Sequence, residues 1–193
     1  MKSFALAAFA AAANASVMSK FDSYTLKTNG DALTIKENGV DKTVYVVGNG
    51  VHGSGRDYNI DWNGRGYLST TPDLSPESFY TPNLLGGTVE YDVDLSGKDC
   101  GNVAAFYLCS MPGKDDSGNY WNTDGFYYCD ANKVDGNFCP EYDIMEANKY
   151  AMQTTPHSCD APSDKGHYYN CDKGGQCWQN TAEKMDGYGP GGW

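Results

Sequence analysis

Three carboxylates fall within six residues: Glu141, Asp143 and Glu146, interleaved with Tyr142, Ile144 and Met145. Side chains alternate along a strand, so Glu141 and Asp143 share a face and Glu146 points the other way. One β-bulge between Asp143 and Glu146 would bring all three onto a common face, and bulges are frequent beside active sites. Like charges held this close raise one another's proton affinity, so one acid keeps its proton near neutrality while a neighbour ionises. Cleavage of a glycosidic bond needs that asymmetry. Carboxyl groups about 5–5.5 Å apart suit retention through a covalent intermediate, and wider pairs suit inversion. The same spacing also fits a solvated acidic strand face or a calcium site, and E-x-D-x-x-E is too short to separate these uses.

The elements that would position such a trio are strands. Gly (23), Tyr (15) and frequent Asn, Asp and Pro point to a β-rich chain with many loops, and helical periodicity is hard to find. Thr88 to Leu95 puts Val89, Tyr91, Val93 and Leu95 on one face and Thr88, Glu90, Asp92 and Asp94 on the other, which predicts a half-buried strand. Asn102 to Met111 is more continuously apolar, as expected of a central strand covered on both faces. Ala32 to Ile35 and Thr43 to Val47 predict a hairpin that turns at Glu37, Asn38 and Gly39. Pro72, Pro76 and Pro82 punctuate a loop before the Val89 strand, and beyond Thr154 the composition predicts an irregular, disulfide-pinned region. With no internal repeat and no linker, a single antiparallel β-sandwich is the economical architecture.

Met1 and Lys2, an apolar run from Phe4 to Ala13, and the small-x-small triplet Ala13, Asn14, Ala15 follow the layout of a secretory signal peptide over residues 1–15. One domain over 16–193 is then expected, and nothing later is long and apolar enough to span a membrane, so a soluble secreted protein is expected. The net charge of −11 disfavours nucleic acid and anionic lipid as partners and is compatible with a neutral polymer. In a secreted chain the seven cysteines, at 100, 109, 129, 139, 159, 171 and 177, imply disulfides before zinc, since no C-x-x-C pair is present; the odd number leaves one thiol over.

The residues around the trio add specificity. Glu141 to Asn148, followed by Thr155, Pro156, His157 and Cys159, resembles the signature of glycoside hydrolase family 7, the fungal cellobiohydrolases and endo-β-1,4-glucanases. That signature runs Glu-x-Asp-x-Trp-Glu-Ala-Asn, with Thr-Pro-His-x-Cys about ten residues on. Tyr91 to Ser96, Cys100 and Gly101, Ala105 to Met111, and Tyr188 to Gly191 extend the resemblance over roughly residues 85–193. It implies a concanavalin-like jelly-roll sandwich with disulfide-pinned loops and a retaining β-1,4-glucanase. Glu141 would be nucleophile and Glu146 acid/base. Asp143 would be hydrogen-bonded to Glu141, and His157 would lie near Glu146. Tyr107 stands where the family has a substrate-contacting tyrosine, although an apolar strand also makes it a core residue.

Three departures accompany the resemblance. Met145 replaces the usual Trp, Cys109 has no counterpart, and family members continue well past the position of Trp193. The family's equivalent of Cys100 pairs with a cysteine late in the chain, which this sequence lacks. By position a Cys129–Cys139 bridge is favoured, with Cys159, Cys171 and Cys177 sharing at most one more. A glucanase or transglycosylase like glycoside hydrolase family 16, which shares the sandwich and E-x-D-x-x-E, and a non-catalytic carbohydrate binder are the alternatives. The expected partner is a β-glucan polysaccharide met by a monomer, with no metal and no cofactor.

Overall fold

The computed structural model describes residues 7–13, 30–122, 125–175 and 179–180. Met1, Lys2, Asn14, Ala15, Cys177 and Tyr188 to Gly191, to which expectations were attached, lie outside the described residues. The strands are β1 (Ala7–Ala13), β2 (Asp31–Glu37), β3 (Val40–Ser54), β4 (Asp57–Ser69), β5 (Asn102–Cys109), β6 (Glu141–Ala147), β7 (Met152–His157) and β8 (Gln179–Asn180). A short 3-10 turn, Val134–Gly136, is the one helical element described. No helix among the described residues is long and apolar enough to cross a membrane.

The fold is all-β and antiparallel, the sandwich-type class expected, with disulfide-pinned loops. Hydrogen bonds join the eight strands in the order β2-β3-β4-β1-β5-β6-β7-β8. The predicted hairpin is β2 and β3. Glu37 pairs with Val40, and the two residues between them, Asn38 and Gly39, have φ of 51° and 82°. Positive φ at both loop positions is the turn whose twist matches the flanking strands.

Two apolar clusters are packed by alternate residues of the same strands, as a sheet covered on both sides requires. On β5, Ala105, Tyr107 and Cys109 enter one cluster with Val47, Tyr67, Phe126 and Tyr128; Phe106 and Leu108 enter the other with Val44, Val46, Leu68 and Met145. That two-sided burial is why Asn102 to Met111 reads as an almost unbroken apolar run.

Three expectations need correction. Thr88 to Leu95 is not a strand and forms no ladder with a described strand. Tyr91 and Leu95 pack against the second cluster, while Val89 and Val93 are exposed. The alternation is real, but alternation supplies a face and not a backbone partner. Second, the chain beyond Thr154 is not wholly irregular, because β7 continues to His157. Thr155 and His157 point inward, and Pro156, which lacks an N–H for a ladder, is exposed past the residues that β8 pairs. Third, β4 was not anticipated at all, although it pairs with β3 over most of its length. The alanine run read as part of a leader takes the course of β1 between β4 and β5, paired with both.

Candidate active site

The register of β6 decides which way the acids face. Against β5, Glu141 pairs with Cys109, Asp143 with Tyr107 and Glu146 with Ala105, and the shift falls where three steps on β6 meet two on β5. Against β7, Glu141 pairs with His157, Asp143 with Thr155 and Glu146 with Gln153, with the irregularity again between Asp143 and Glu146. Both neighbours therefore place one extra residue there, which is a β-bulge. Its consequence is visible in the packing. Ile144 and Met145, though adjacent, both pack into the cluster on the back of the sheet. Glu141, Asp143 and Glu146 oppose Cys109, Tyr107 and Ala105, all three in the front cluster. The trio thus shares a face despite its odd spacing.

Glu141 and Asp143 are buried, at 8% and 6% exposure, and Glu146 is half-buried. Burial, the largest cause, and then the negative charge of Asp143 push Glu141 up to about 8. Burial and then Glu146 push Asp143 up to about 6, against the pull of His157. Glu146 is also raised, by burial, with His157 opposing. A proton is held among the three well above the ordinary carboxylate range.

Each buried acid has a specific partner. Glu141 Oε2 accepts the backbone N–H of Ala131 at 3.0 Å. Asp143 Oδ2 lies 3.0 Å from His157 Nε2, and His157 Nδ1–H donates to the carbonyl of Asp172 at 2.8 Å. A carbonyl accepts only, so that bond fixes the proton on Nδ1 and turns Nε2 toward Asp143. Asp143 is therefore held by His157 and not by Glu141. The partners on the two acids are the Ala131 amide at Glu141 Oε2 and His157 Nε2 at Asp143 Oδ2. Gly175, at φ 66°, abuts this histidine; a Cβ there would lie 2.3 Å from Thr155 Cγ2 and 3.2 Å from His157 Cε1.

Tyr107 is buried, and its hydroxyl donates to that of Tyr128 at 3.4 Å, within the front cluster. It lies beside the acids as the partner of Asp143, with its polar end committed to the protein. Cys109 is a buried free thiol, held protonated by burial and then by the charge of Glu141, and Cys100 is free and exposed. The described bridges are Cys129–Cys139 and Cys159–Cys171. Glu141, Asp143 and His157 also bring three donor atoms within 4.8 Å of one another.

Several groups at this site were not read from the sequence. Tyr128, Asp130, the Ala131 amide, the Asp172 carbonyl and Arg65, whose guanidinium carbon lies 4.1 Å from the centre of the Tyr128 ring, all contribute. Backbone groups leave no mark in composition. Asp130 did leave one: an Asp two residues before Asn132, able to cap its own turn.

No family model matches the chain. It is 34% identical to endoglucanase EG-1 of Hypocrea jecorina over an alignment of 151 positions that covers 65% of this chain and 30% of that protein. It is 34% identical to endoglucanase type C of Fusarium oxysporum over an alignment of 137 positions that covers 56% of this chain and 32% of the relative. Endoglucanase 1 of Humicola insolens is 28% identical over an alignment of 199 positions that covers 89% of this chain and 44% of the relative. Among solved structures, an endoglucanase I complexed with cellobiose superposes with a TM-score of 0.57 at 19% identity, covering 88% of this chain and 63% of that one. The shared feature there is the β-sandwich fold. The sequence similarity is to endoglucanases, hence to cellulase-type glycoside hydrolases, and the chain spans about a third of the length of the first two relatives.

Proposed function

We propose that the chain belongs to a secreted retaining glycoside hydrolase of the family-7 kind that cleaves β-1,4-glucan chains. Glu141 is the nucleophile and Glu146 the acid/base. Asp143, held by His157, tunes Glu141. The observation that carries this reading is the bulge in β6, which turns three proton-sharing acids toward one side. The endoglucanase relatives and the cellobiose bound by the structural neighbour support the substrate class.

In the first step the Glu141 carboxylate bonds to the anomeric carbon while the glycosidic C–O bond breaks and Glu146 passes its proton to the leaving oxygen. In the second, Glu146 takes a proton from water, the water oxygen bonds to the anomeric carbon, and Glu141 departs. His157 and Tyr107 stand on the acid-bearing side, His157 through Asp143 and Tyr107 beside Asp143 on the neighbouring strand. Before a sugar chain binds, the proton prefers Glu141, whereas the nucleophile must be ionised when it attacks. Substrate arrival has to transfer that proton preference to Glu146.

Purified protein incubated with carboxymethylcellulose, laminarin and lichenan, with reducing ends measured, tests the function. Release from carboxymethylcellulose and lichenan but not laminarin is expected. Preference for laminarin points to the β-1,3 alternative, and binding without release in any of the three points to a carbohydrate binder. Glu146→Gln tests the roles: its loss of rate is smaller for aryl cellobiosides with good leaving groups, because less acid help is needed. Equal losses across leaving groups remove Glu146 as the acid. Secretion is tested by N-terminal sequencing of exported protein. A start at Ser16 means that β1 is removed and the facing edges of β4 and β5 are uncovered.

A further inference from the structure

We propose that Asp130 is a positioning residue for Glu141, setting its orientation through the Ala131 amide and its readiness to react through the buried charge beside it; this rests on Glu141 being the nucleophile. Asp130 is 4% exposed, and both its carboxylate oxygens are used inside the protein. Oδ2 accepts the Tyr128 hydroxyl at 2.8 Å, and Oδ1 accepts the amides of Asn132 at 2.8 Å and Val134 at 3.2 Å. Its carbonyl accepts the Cys139 amide at 2.9 Å, beside the Cys129–Cys139 bridge. These bonds hold a turn whose next residue, Ala131, presents its N–H to Glu141 Oε2.

Turn-making alone does not call for a carboxylate. An asparagine oxygen would accept the same two amides, and a buried carboxylate is costly to desolvate. What Asp130 adds is a negative charge that acts on Glu141. The other groups around Glu141 are Asp143 and Glu146 on β6, Cys109 and Tyr107 on β5, and His157 on β7, with Arg65 of β4 acting through Tyr107 and Tyr128. After burial and Asp143, Asp130 is the next cause holding Glu141 high, and the Ala131 amide works against them. One residue thus supplies both influences: it fixes the amide that favours the carboxylate and carries the charge that opposes it. A carboxylate with a raised proton affinity is the stronger nucleophile once ionised.

The test is Asp130→Asn, read by a carbon-13 NMR titration of the Glu141 carboxyl and by the pH profile of kcat/KM on an aryl cellobioside. Glu141 titrates at about 8 in the wild type. In the variant its midpoint falls by about one pH unit, the alkaline limb of the rate, which the higher proton affinity of Glu141 sets, moves with it, and the acid limb set by Glu146 stays in place. A merely structural residue would lower the melting temperature and the rate without moving the limb. A folded Asp130→Asn variant with an unmoved Glu141 midpoint overturns the proposal. Should that variant not fold, Tyr128→Phe keeps the Asp130 charge but removes its hydroxyl donor, and the Glu141 midpoint rises. A fall or no change overturns the proposal. The NMR readout needs no turnover. A shifted midpoint in a protein that hydrolyses no glucan upholds the coupling and sinks the hydrolase reading, and an unmoved midpoint in an active enzyme sinks only the coupling.

Discussion

Two disulfide-closed loops flank the acids, and each lends the site one backbone group of opposite kind. The Cys129–Cys139 loop offers the Ala131 N–H to Glu141, which favours negative charge on that acid. The Cys159–Cys171 loop is followed at once by Asp172, whose carbonyl accepts Nδ1–H of His157 and so turns Nε2 to Asp143. Sequence separations of 10 and 12 make the two clasps nearly equal as restraints on the unfolded chain. They differ in what they hold: a donor for the attacking group in one, and an acceptor that fixes a histidine in the other. The bulge of β6 puts the acids on one side, and the loops decide how each is polarised.

The largest expected effect tests whether the acids matter at all. Glu141→Gln should lower kcat on a glucan by on the order of 10⁴-fold with folding intact by circular dichroism. Full activity in that variant removes Glu141 from the mechanism.

Opening the clasps sharpens the comparison. Replacing Cys129 and Cys139 by Ser, or Cys159 and Cys171 by Ser, should each cost about 3 kcal/mol in denaturant unfolding. The chemistry should separate them: the first pair raises the Glu141 midpoint by loosening its amide donor, and the second moves that of Asp143. The same midpoint moving in both variants would erase the distinction between the loops.

A smaller effect concerns pH and stability. Glu141 titrates at about 8 when folded, above its ordinary value of 4.5, so between these limits the folded protein binds more protons than the unfolded one. The stability that Glu141 contributes is therefore greatest below about 4.5 and declines as pH rises toward 8. Glu141→Gln lacks this group, so its melting temperature should gain on the wild type between pH 5 and pH 8. A constant difference across that range would mean that Glu141 is not raised. The smallest effect is a control away from both loops: Leu85→Ser, at 86% exposure, should change stability by no more than about 0.5 kcal/mol and leave activity alone.

Much of the site was legible because its information is local. Glu141, Asp143 and Glu146 sit close together in one strand, and their mismatch with a period of two itself pointed to a bulge. The Asn38–Gly39 turn and the doubly covered β5 were legible for the same reason, since turn chemistry and continuous apolarity are properties of short windows. Thr88 to Leu95 has as regular an alternation as β2 or β6, yet it lies outside the sheet. Whether an alternating segment becomes a strand depends on a neighbour distant in sequence. Likewise the Asp143–His157 contact replaced the expected Asp143–Glu141 bond, because β7 brought His157 across from β6.

By itself the sequence determined which residues could do acid chemistry, that they lie on a strand, and that the strand must depart from strict alternation for them to act together. Tertiary structure decided the rest: which neighbours pair with β6, which backbone N–H and C=O reach Glu141 and His157, and how deeply each acid is buried. The physical reason is that proton affinity depends on desolvation and on charges brought close by folding, and neither is a property of residue order.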